Sequence, residues 1–128
     1  MIYNLAKYIT DNTSLTINVN GFSPDSPDTV VSVNEGSGNE RPWFDRKDTT
    51  VQFVSRAVDK TVSRANAYTL YNLIKKKYGL TLPAVTVNSI SYPAKTGWAI
   101  RPVTSPQYAY DDDSGRSVHT FTVEVTTT

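Results

Sequence analysis

Histidine and cysteine, two side chains that often carry acid–base and nucleophilic chemistry, are nearly absent from this sequence. His119 is the only histidine among 128 residues, and there is no cysteine. A nucleophile–histidine–acid triad would therefore have to use His119. That residue lies in an alternating segment with Phe121 and Val123, where an inward-facing structural side chain is expected. The lack of cysteine excludes disulfides, thiolate metal ligands and thiol nucleophiles.

Two polar segments have both a chemical and a structural interpretation. Asp111, Asp112 and Asp113 are consecutive carboxylates, and carboxylate oxygens are preferred ligands of hard cations. Consecutive acids cannot all face one ion, so a solvated turn with Gly115 at a positive φ is favoured. The glycine-containing segment 35–39 lacks the lysine and the strand-to-helix context of a phosphate loop. We therefore expect no catalytic residue, no metal and no cofactor.

The charge balance gives no argument for nucleic-acid or membrane binding. Thirteen basic and twelve acidic residues leave a net charge of +1. Lys75, Lys76 and Lys77 form a local cation cluster that could contact nucleic acid, but the C-terminal end of a helix also favours cations. No segment is apolar enough for a membrane span, and the N-terminus lacks the apolar region of a signal peptide. These features predict a small, soluble, intracellular domain.

Hydrophobic spacing predicts a single α+β domain over residues 1–128, with a mainly antiparallel β-sheet packed against one long helix and a short N-terminal helix. The short helix is expected to end near Asp11 and Asn12, whose side chains compete for backbone hydrogen bonds. Segments that alternate apolar and polar residues then indicate half-buried strands. These strands are expected at about 15–19, 29–33, 50–57, 85–92, 98–103 and 117–126.

The long helix is the most strongly patterned element of the sequence. Asp59 or Thr61 is a suitable N-cap, and the apolar stripe continues to Tyr78. Gly79 suits the position after the last helical residue, where a positive φ is common. This interpretation places Tyr78 in the core.

A long charged loop is expected at about 34–48, because seven of these fifteen residues are charged and no hydrophobic period is present. Loops of this length are uncommon in small domains and are usually functional or disordered. Aromatic residues next to arginine often anchor interfaces. Removal of residues 36–45 is expected to leave the fold intact. The candidate interaction residues are the charged and aromatic ones of this loop: Glu40, Arg41, Trp43, Phe44, Arg46 and Lys47.

The order of elements and several local patterns resemble one protein family. An N-terminal amphipathic helix comes first, followed by strands, a second helix and a closing alternating strand. The local patterns are Val51-Gln52-Phe53-Val54-Ser55-Arg56; Ala65, Ala67-Tyr68, Leu70-Tyr71 and Leu73-Ile74; Pro106-Gln107-Tyr108; and Asp112-Asp113-Ser114-Gly115-Arg116. Over about residues 1–125 the chain is similar to the tail terminator (minor capsid or tail completion) proteins of long-tailed bacteriophages.

The resemblance implies a structural virion protein and no enzyme. Proteins of this family assemble as a ring, typically of six copies, on the last ring of tail-tube subunits. They end tube polymerisation and join the tail to the head-completion (neck) proteins, while DNA passes through the lumen without sequence-specific binding. The resemblance also implies assembly in the host cytoplasm, a final place at the tail–neck junction of the virion, and no membrane partner.

Other functions remain open at the level of the sequence. The chain could be another neck or head–tail connector component, since such proteins have a similar size. It could also be a small carbohydrate- or peptide-binding module in which Trp43, Trp98 and Tyr108 form an aromatic platform. An enzyme dependent on His119 is a third class. A ring, a ligand-binding monomer and a catalyst differ in their mass in solution and in their response to added ligand.

Overall fold

Both helices of the described chain lie against one face of a seven-stranded sheet. The computed structural model describes residues 1–41, 46–75 and 77–127. The elements in chain order are α1 (Ile2–Asn12), β1 (Ile17–Val19), β2 (Val30–Arg41), β3 (Arg46–Ala57), α2 (Lys60–Ile74), β4 (Lys77–Leu82), β5 (Val85–Val87), β6 (Ile90–Tyr92), β7 (Lys95–Pro102), β8 (Gln107–Asp111) and β9 (Ser117–Thr127).

Strand β9 is the centre of the sheet. The strand order is β1-β2-β3-β9-β7-β4, and β8 also pairs with β9. On one side, residues 117–127 of β9 pair with β3. On the other side, residues 117–120 of β9 pair with β8 and residues 123–127 pair with β7. All of these pairs are antiparallel except β1 with β2. One half of the sheet is therefore β1-β2-β3-β9-β8, and the other half ends at β7 and β4.

The core lies between the helices and one face of the sheet. Leu5 and Leu70, one from each helix, are fully buried against the strands. The rings of Phe53 and Phe121 are stacked with centroids 4.7 Å apart, and Tyr71 meets Phe121 edge-on at 5.6 Å. Residues two apart on a strand share a face, so the alternating residues of β3 and β9 supply the sheet side of this core. The predicted α+β domain with a mainly antiparallel sheet is confirmed.

Helix α2 has 15 residues and ends at Ile74, so the prediction of one long helix reaching Tyr78 is wrong. Asp59 caps its start as predicted, accepting from the Thr61 N–H at 2.8 Å. Lys75 leaves the helix with an extended ψ of 135°. Because the helix ends there, the residues of β4 can pair with β7. This long-range pairing overrides the helix-like spacing of apolar residues that continues to Tyr78.

Strand β4 occupies the segment where the end of the helix was expected. Leu82 is buried, whereas Tyr78 is 70% exposed, so the expectation of a core tyrosine is wrong. Gly79 does adopt a positive φ of 62°, but inside the strand and not after a helix. Lys77 is the first residue of β4 rather than a helix-end cation.

Strands β2 and β3 continue through most of the predicted loop at 34–48. Their pairing extends to Arg41 opposite Arg46, and residues 42–45 lie outside the described part of the chain. A register shift between Glu35 and Gly38 inserts one extra residue, a bulge. A Cβ at Gly36 would lie 2.9 Å from the carbonyl oxygen of Thr50, so this position needs glycine for the strands to approach. Removal of residues 36–45 would delete paired residues of β2, contrary to the expectation above.

The strand expected at 85–92 is instead the two-stranded hairpin β5–β6. Its two-residue turn consists of Asn88 and Ser89, with φ of 51° and 64°. Positive φ at both central residues is characteristic of the type I′ turn, which suits the twist of paired strands. Asparagine adopts a positive φ more readily than most residues. Asn88, between Val87 and Ile90, was therefore a sequence signal for a turn, which the prediction of a single strand did not use.

Candidate functional site

The face of the sheet opposite the helices carries a group of charged and aromatic side chains. Residues directly opposite in the strand register share a face, and Asp48, Thr126, Ala99 and Tyr78 form such a row across β3, β9, β7 and β4. Arg101 and Glu124 form the neighbouring pair on the same face. We call this group the Trp98 surface. Its members are Arg46, Asp48, Tyr78, Trp98, Arg101, Glu124 and Thr126.

Arg101 connects the polar part of the Trp98 surface. Its guanidinium forms an ion pair with Glu124, donates to the Thr126 hydroxyl at 3.1 Å and lies 3.7 Å from Asp48. The Thr126 hydroxyl in turn donates to Asp48. Hydrogen bonding to Glu124 raises the pKa of Arg101. The guanidinium between these carboxylates therefore stays protonated. With Arg46, the surface carries two cations and two carboxylates.

The aromatic part of the Trp98 surface is exposed. The Arg46 guanidinium lies 4.2 Å from the centroid of the Trp98 ring, which is 40% exposed. A register shift between Gly97 and Ala99 places Trp98 in a bulge of β7. Two large exposed aromatic rings, those of Trp98 and Tyr78, thus flank a balanced charge network. Aromatic and arginine side chains in such a setting are enriched at protein interfaces.

The structure brings one of the six predicted interaction residues, Arg46, into this surface. Lys47 is exposed, but it is opposite Thr127 and so belongs to the other face of the sheet. Trp43 and Phe44 lie outside the described residues, as do the side chains of Glu40 and Arg41.

Sequence reasoning missed much of the Trp98 surface, including Asp48, Tyr78 and Arg101. For Tyr78, the alternation of Leu80 and Leu82 was a usable signal of strand. The remaining members come together only through pairing between β3, β9 and β7, which single-sequence patterns do not encode.

His119 is a buried structural residue in this arrangement. Its Nδ1 lies 2.9 Å from the Ser63 hydroxyl, and the two side chains are 3% and 0% exposed. Burial lowers the pKa of His119, and the nearby charges of Lys60 and Arg64 lower it further. Ser63 also hydrogen-bonds reciprocally with Ser55, from hydroxyl to carbonyl in both directions. This network fixes the start of α2 to β3 and β9, and Ser63 is closed to any substrate.

Asp112 and Asp113 belong to a turn that follows Asp111, the last residue of β8. Asp112 accepts from the backbone N–H groups of Arg116 at 2.9 Å and Ser114 at 3.0 Å, and from the Arg116 side chain at 2.8 Å. The bond from the Arg116 backbone is the main cause that lowers the pKa of Asp112. Asp111 instead accepts from the Ser117 hydroxyl at 2.9 Å. No cluster of three or more metal-ligating side chains forms within the described ranges.

The aromatic platform expected for a small binding module is not assembled from its described members. Trp98 lies in the bulge opposite Thr126 and Thr127, whereas Tyr108 is opposite His119. These positions are separated along β9 by about 24 Å, at about 3.3 Å per residue. One saccharide or base could not contact both rings at once.

Comparisons with models of known protein families and with curated proteins find no match for this chain. Neither α1 nor α2, the two helices of the described ranges, is long and apolar enough to span a membrane. The charge-balanced, partly aromatic Trp98 surface is the candidate functional site of the described chain.

Proposed function

We propose that this chain is a ring-forming tail terminator of a long-tailed bacteriophage, a structural protein and not an enzyme. In this proposal six copies form a ring on the last tail-tube ring, stop tube growth and present a surface to the neck proteins. DNA passes through the lumen without sequence-specific contact. The protein acts at the tail–neck junction of the virion after assembly in the host cytoplasm.

The single observation that carries the proposal is the Trp98 surface. Both helices cover the other face of the sheet, so Trp98 and Tyr78 remain exposed around the network of Arg101. An exposed, charge-balanced sheet face with aromatic rings suits contact with another protein more than the enclosure of a small molecule. We assign this surface to contact with the tail tube or the neck.

The two lateral sides of the subunit also support a ring. A head-to-tail ring requires two different complementary surfaces on each copy, rather than one self-complementary patch. The sheet offers strand β1 at one side and strands β8 and β4 at the other. A net charge of +1 avoids strong repulsion between neighbouring copies.

A different neck or head–tail connector component is the second candidate. The same Trp98 surface supports it, because nothing in that surface selects the tube over another neck protein. The two candidates differ in the partner bound: a terminator must cap the tail tube and limit its length.

The proposal is tested by the mass of the purified chain in light scattering over a concentration series, with negative-stain images of the same fractions. We expect rings of about six copies and, when the chain is added to growing tail tubes of its phage, tubes of limited length with a ring at one end. Trp98→Ala combined with Tyr78→Ala should leave ring formation intact and abolish either capping of the tube or binding of the neck protein.

Ile90→Ala is the matched control, since Ile90 is 56% exposed but lies on the separate β5–β6 hairpin. It should cap tubes as the unmodified chain does. A chain that stays monomeric at every concentration, also with tubes present, contradicts the proposal. Rings that bind another neck protein but leave tube growth unchanged favour the second candidate.

A further inference from the structure

One row of residues runs through the half of the sheet that contains β8 and ends in two strand edges. Ile17, Val31, Ser55, His119 and Tyr108 are opposite one another in successive strands. Strand β1 is at one end of this row and β8 at the other. No described strand pairs with the outer side of either one. These outer sides are lateral surfaces of the molecule that face opposite directions.

The outer edge of β1 presents backbone hydrogen-bonding groups. The Thr16 carbonyl and the Asn20 N–H make the flanking bonds to β2, each 2.9 Å long. Backbone direction alternates along a strand, so the N–H and C=O groups of Ile17 and Val19 point away from β2. Unpaired backbone groups of this kind are a template for an added strand.

An open groove of about 490 Å³ runs along this edge of β1. Tyr3, from α1, lines it on the side of the helices, and Phe22 lines it on the opposite side. The Phe22 ring is held in place by Arg56, whose guanidinium lies 4.2 Å from the ring centroid and donates to the Pro27 carbonyl at 2.8 Å. Arg56 is only 6% exposed, so this wall of the groove is anchored to the sheet.

The edge formed by β8 has features that match this groove. All five of its residues are exposed, and Tyr108 and Tyr110 are 45% and 55% exposed. A register shift between them puts Tyr108 opposite His119 and Tyr110 opposite Val118. Adjacent residues of β9 point to opposite faces, so Tyr108 lies on the face with the helices and Tyr110 on the other.

We propose that β8 of one copy adds to the β1 edge of the next, so that the sheet continues from subunit to subunit. This inference rests on the proposed ring and names its contact. The pairings of β1 to β9 make β8 run antiparallel to β1, and a head-to-tail copy keeps that direction, which gives the more stable type of pairing. Tyr108 then faces Tyr3, and Tyr110 faces Phe22.

Cysteine cross-linking tests this contact, because the chain has no cysteine of its own. Ile17→Cys combined with Tyr108→Cys places thiols at opposite ends of the row. Four strand spacings of about 4.8 Å separate them by about 19 Å. A disulfide requires Cα atoms within about 7 Å, so any bond between these two positions must join different copies.

Oxidation of the assembled double variant should give a ladder of covalent oligomers up to the full ring on a non-reducing gel. The matched control is Ile17→Cys with Tyr78→Cys, since Tyr78 is exposed on β4 outside this half of the sheet. We expect about tenfold less ladder from the control, because only a pair held in contact has a millimolar effective concentration. Val19→Cys combined with Tyr108→Cys is measured in the same way to allow for an offset of two residues between neighbouring strands, because Val19 lies on the same face as Ile17.

The outcomes separate this inference from the proposed function. Rings that form normally, but in which neither Ile17→Cys nor Val19→Cys cross-links to Tyr108→Cys more than the control does, overturn the β1–β8 contact and leave the proposed terminator function standing. An unmodified chain that never forms rings overturns both. Thermal melting of each reduced variant shows that its fold is retained, and Val19→Cys replaces Ile17→Cys if the latter unfolds.

Discussion

His119 shows how burial decides the role of a residue that could perform catalysis. Its imidazole is 3% exposed and bonded to a serine hydroxyl that is itself closed to solvent. Tyr108 covers the ring from the side, with centroids 5.7 Å apart. The nearest charges that affect it, on Lys60 and Arg64, are both positive and disfavour protonation. The neutral imidazole is therefore a part of the core.

The lowered pKa of His119 predicts a loss of stability in mild acid. Below a pH of about 6.5 the unfolded chain takes up a proton at this residue that the folded chain does not, so the free energy of unfolding falls. The loss begins as the pH drops through the unfolded pKa and ends at the lower folded pKa, with a slope of at most about 1.4 kcal/mol per pH unit.

Urea denaturation midpoints between pH 5 and pH 8 measure this effect. His119→Asn keeps a polar atom near Ser63 but does not titrate, so its midpoint should change less with pH over the same window. Equal pH dependence in the two proteins would assign the acid sensitivity to other groups.

Asn4 is a second buried polar residue with a structural role. It is fully buried in α1, and its amide nitrogen donates to the carbonyl oxygens of Pro83 and Pro93, at 3.0 Å each. Asn4→Leu leaves these carbonyls without that donor and should lower the free energy of unfolding by about 1–3 kcal/mol. Chemical denaturation measures the loss. Asn12→Leu, at an exposed position of the same helix, should change stability by less than about 0.5 kcal/mol.

At the scale of elements, the β2–β3 hairpin depends on its glycines. A Cβ at Gly36 would lie 2.9 Å from a backbone oxygen of Thr50, whereas one at Gly38 would first meet the flexible side chain of Lys47. Gly36→Ala should therefore cost about 1–3 kcal/mol of stability, and Gly38→Ala clearly less. Thermal unfolding of both variants measures the difference. An equal loss in the two would mean that the strands adjust their spacing freely.

The elements that the sequence predicted best are those with strong local patterns. Helix α1 ends at Asn12, the cap of α2 is Asp59, and β9 begins at Ser117, as the patterns indicated. The errors arose where pairing between distant strands decided the structure. Glycine and charge at 34–48 indicated a loop, yet β3 pairs with β2 there and continues along β9.

The candidate site was predictable only in part for the same reason. Arg46 was identified from its charge and its aromatic neighbours in sequence, but the ring that it contacts belongs to Trp98, 52 positions further along the chain. Asp48, Arg101 and Glu124 come together across three strands. Local composition cannot indicate which charges will meet across a sheet.

At the scale of the whole molecule, stability should be distributed unevenly. β3 and β9 pair over eleven residues each and carry the stacked Phe53 and Phe121. The β5–β6 hairpin forms a separate sheet of three residues per strand, with Ile90 exposed. Amide hydrogen exchange should therefore be slowest in β3 and β9 and fastest in β5 and β6. Similar protection in all strands would indicate that the molecule opens only as one unit.

The central place of β9 also affects how the chain can fold as it is made. It comes after β3, β7 and β8 in sequence, yet all three depend on it as a partner. Until it leaves the ribosome, the earlier described strands can form the β1–β2, β2–β3, β4–β7 and β5–β6 pairs, but the edges of β3 and β7 that pair with β9 stay open. Folding therefore has to close long loops after β3 and β7 have already been made, which makes it slow and leaves their edges exposed to aggregation.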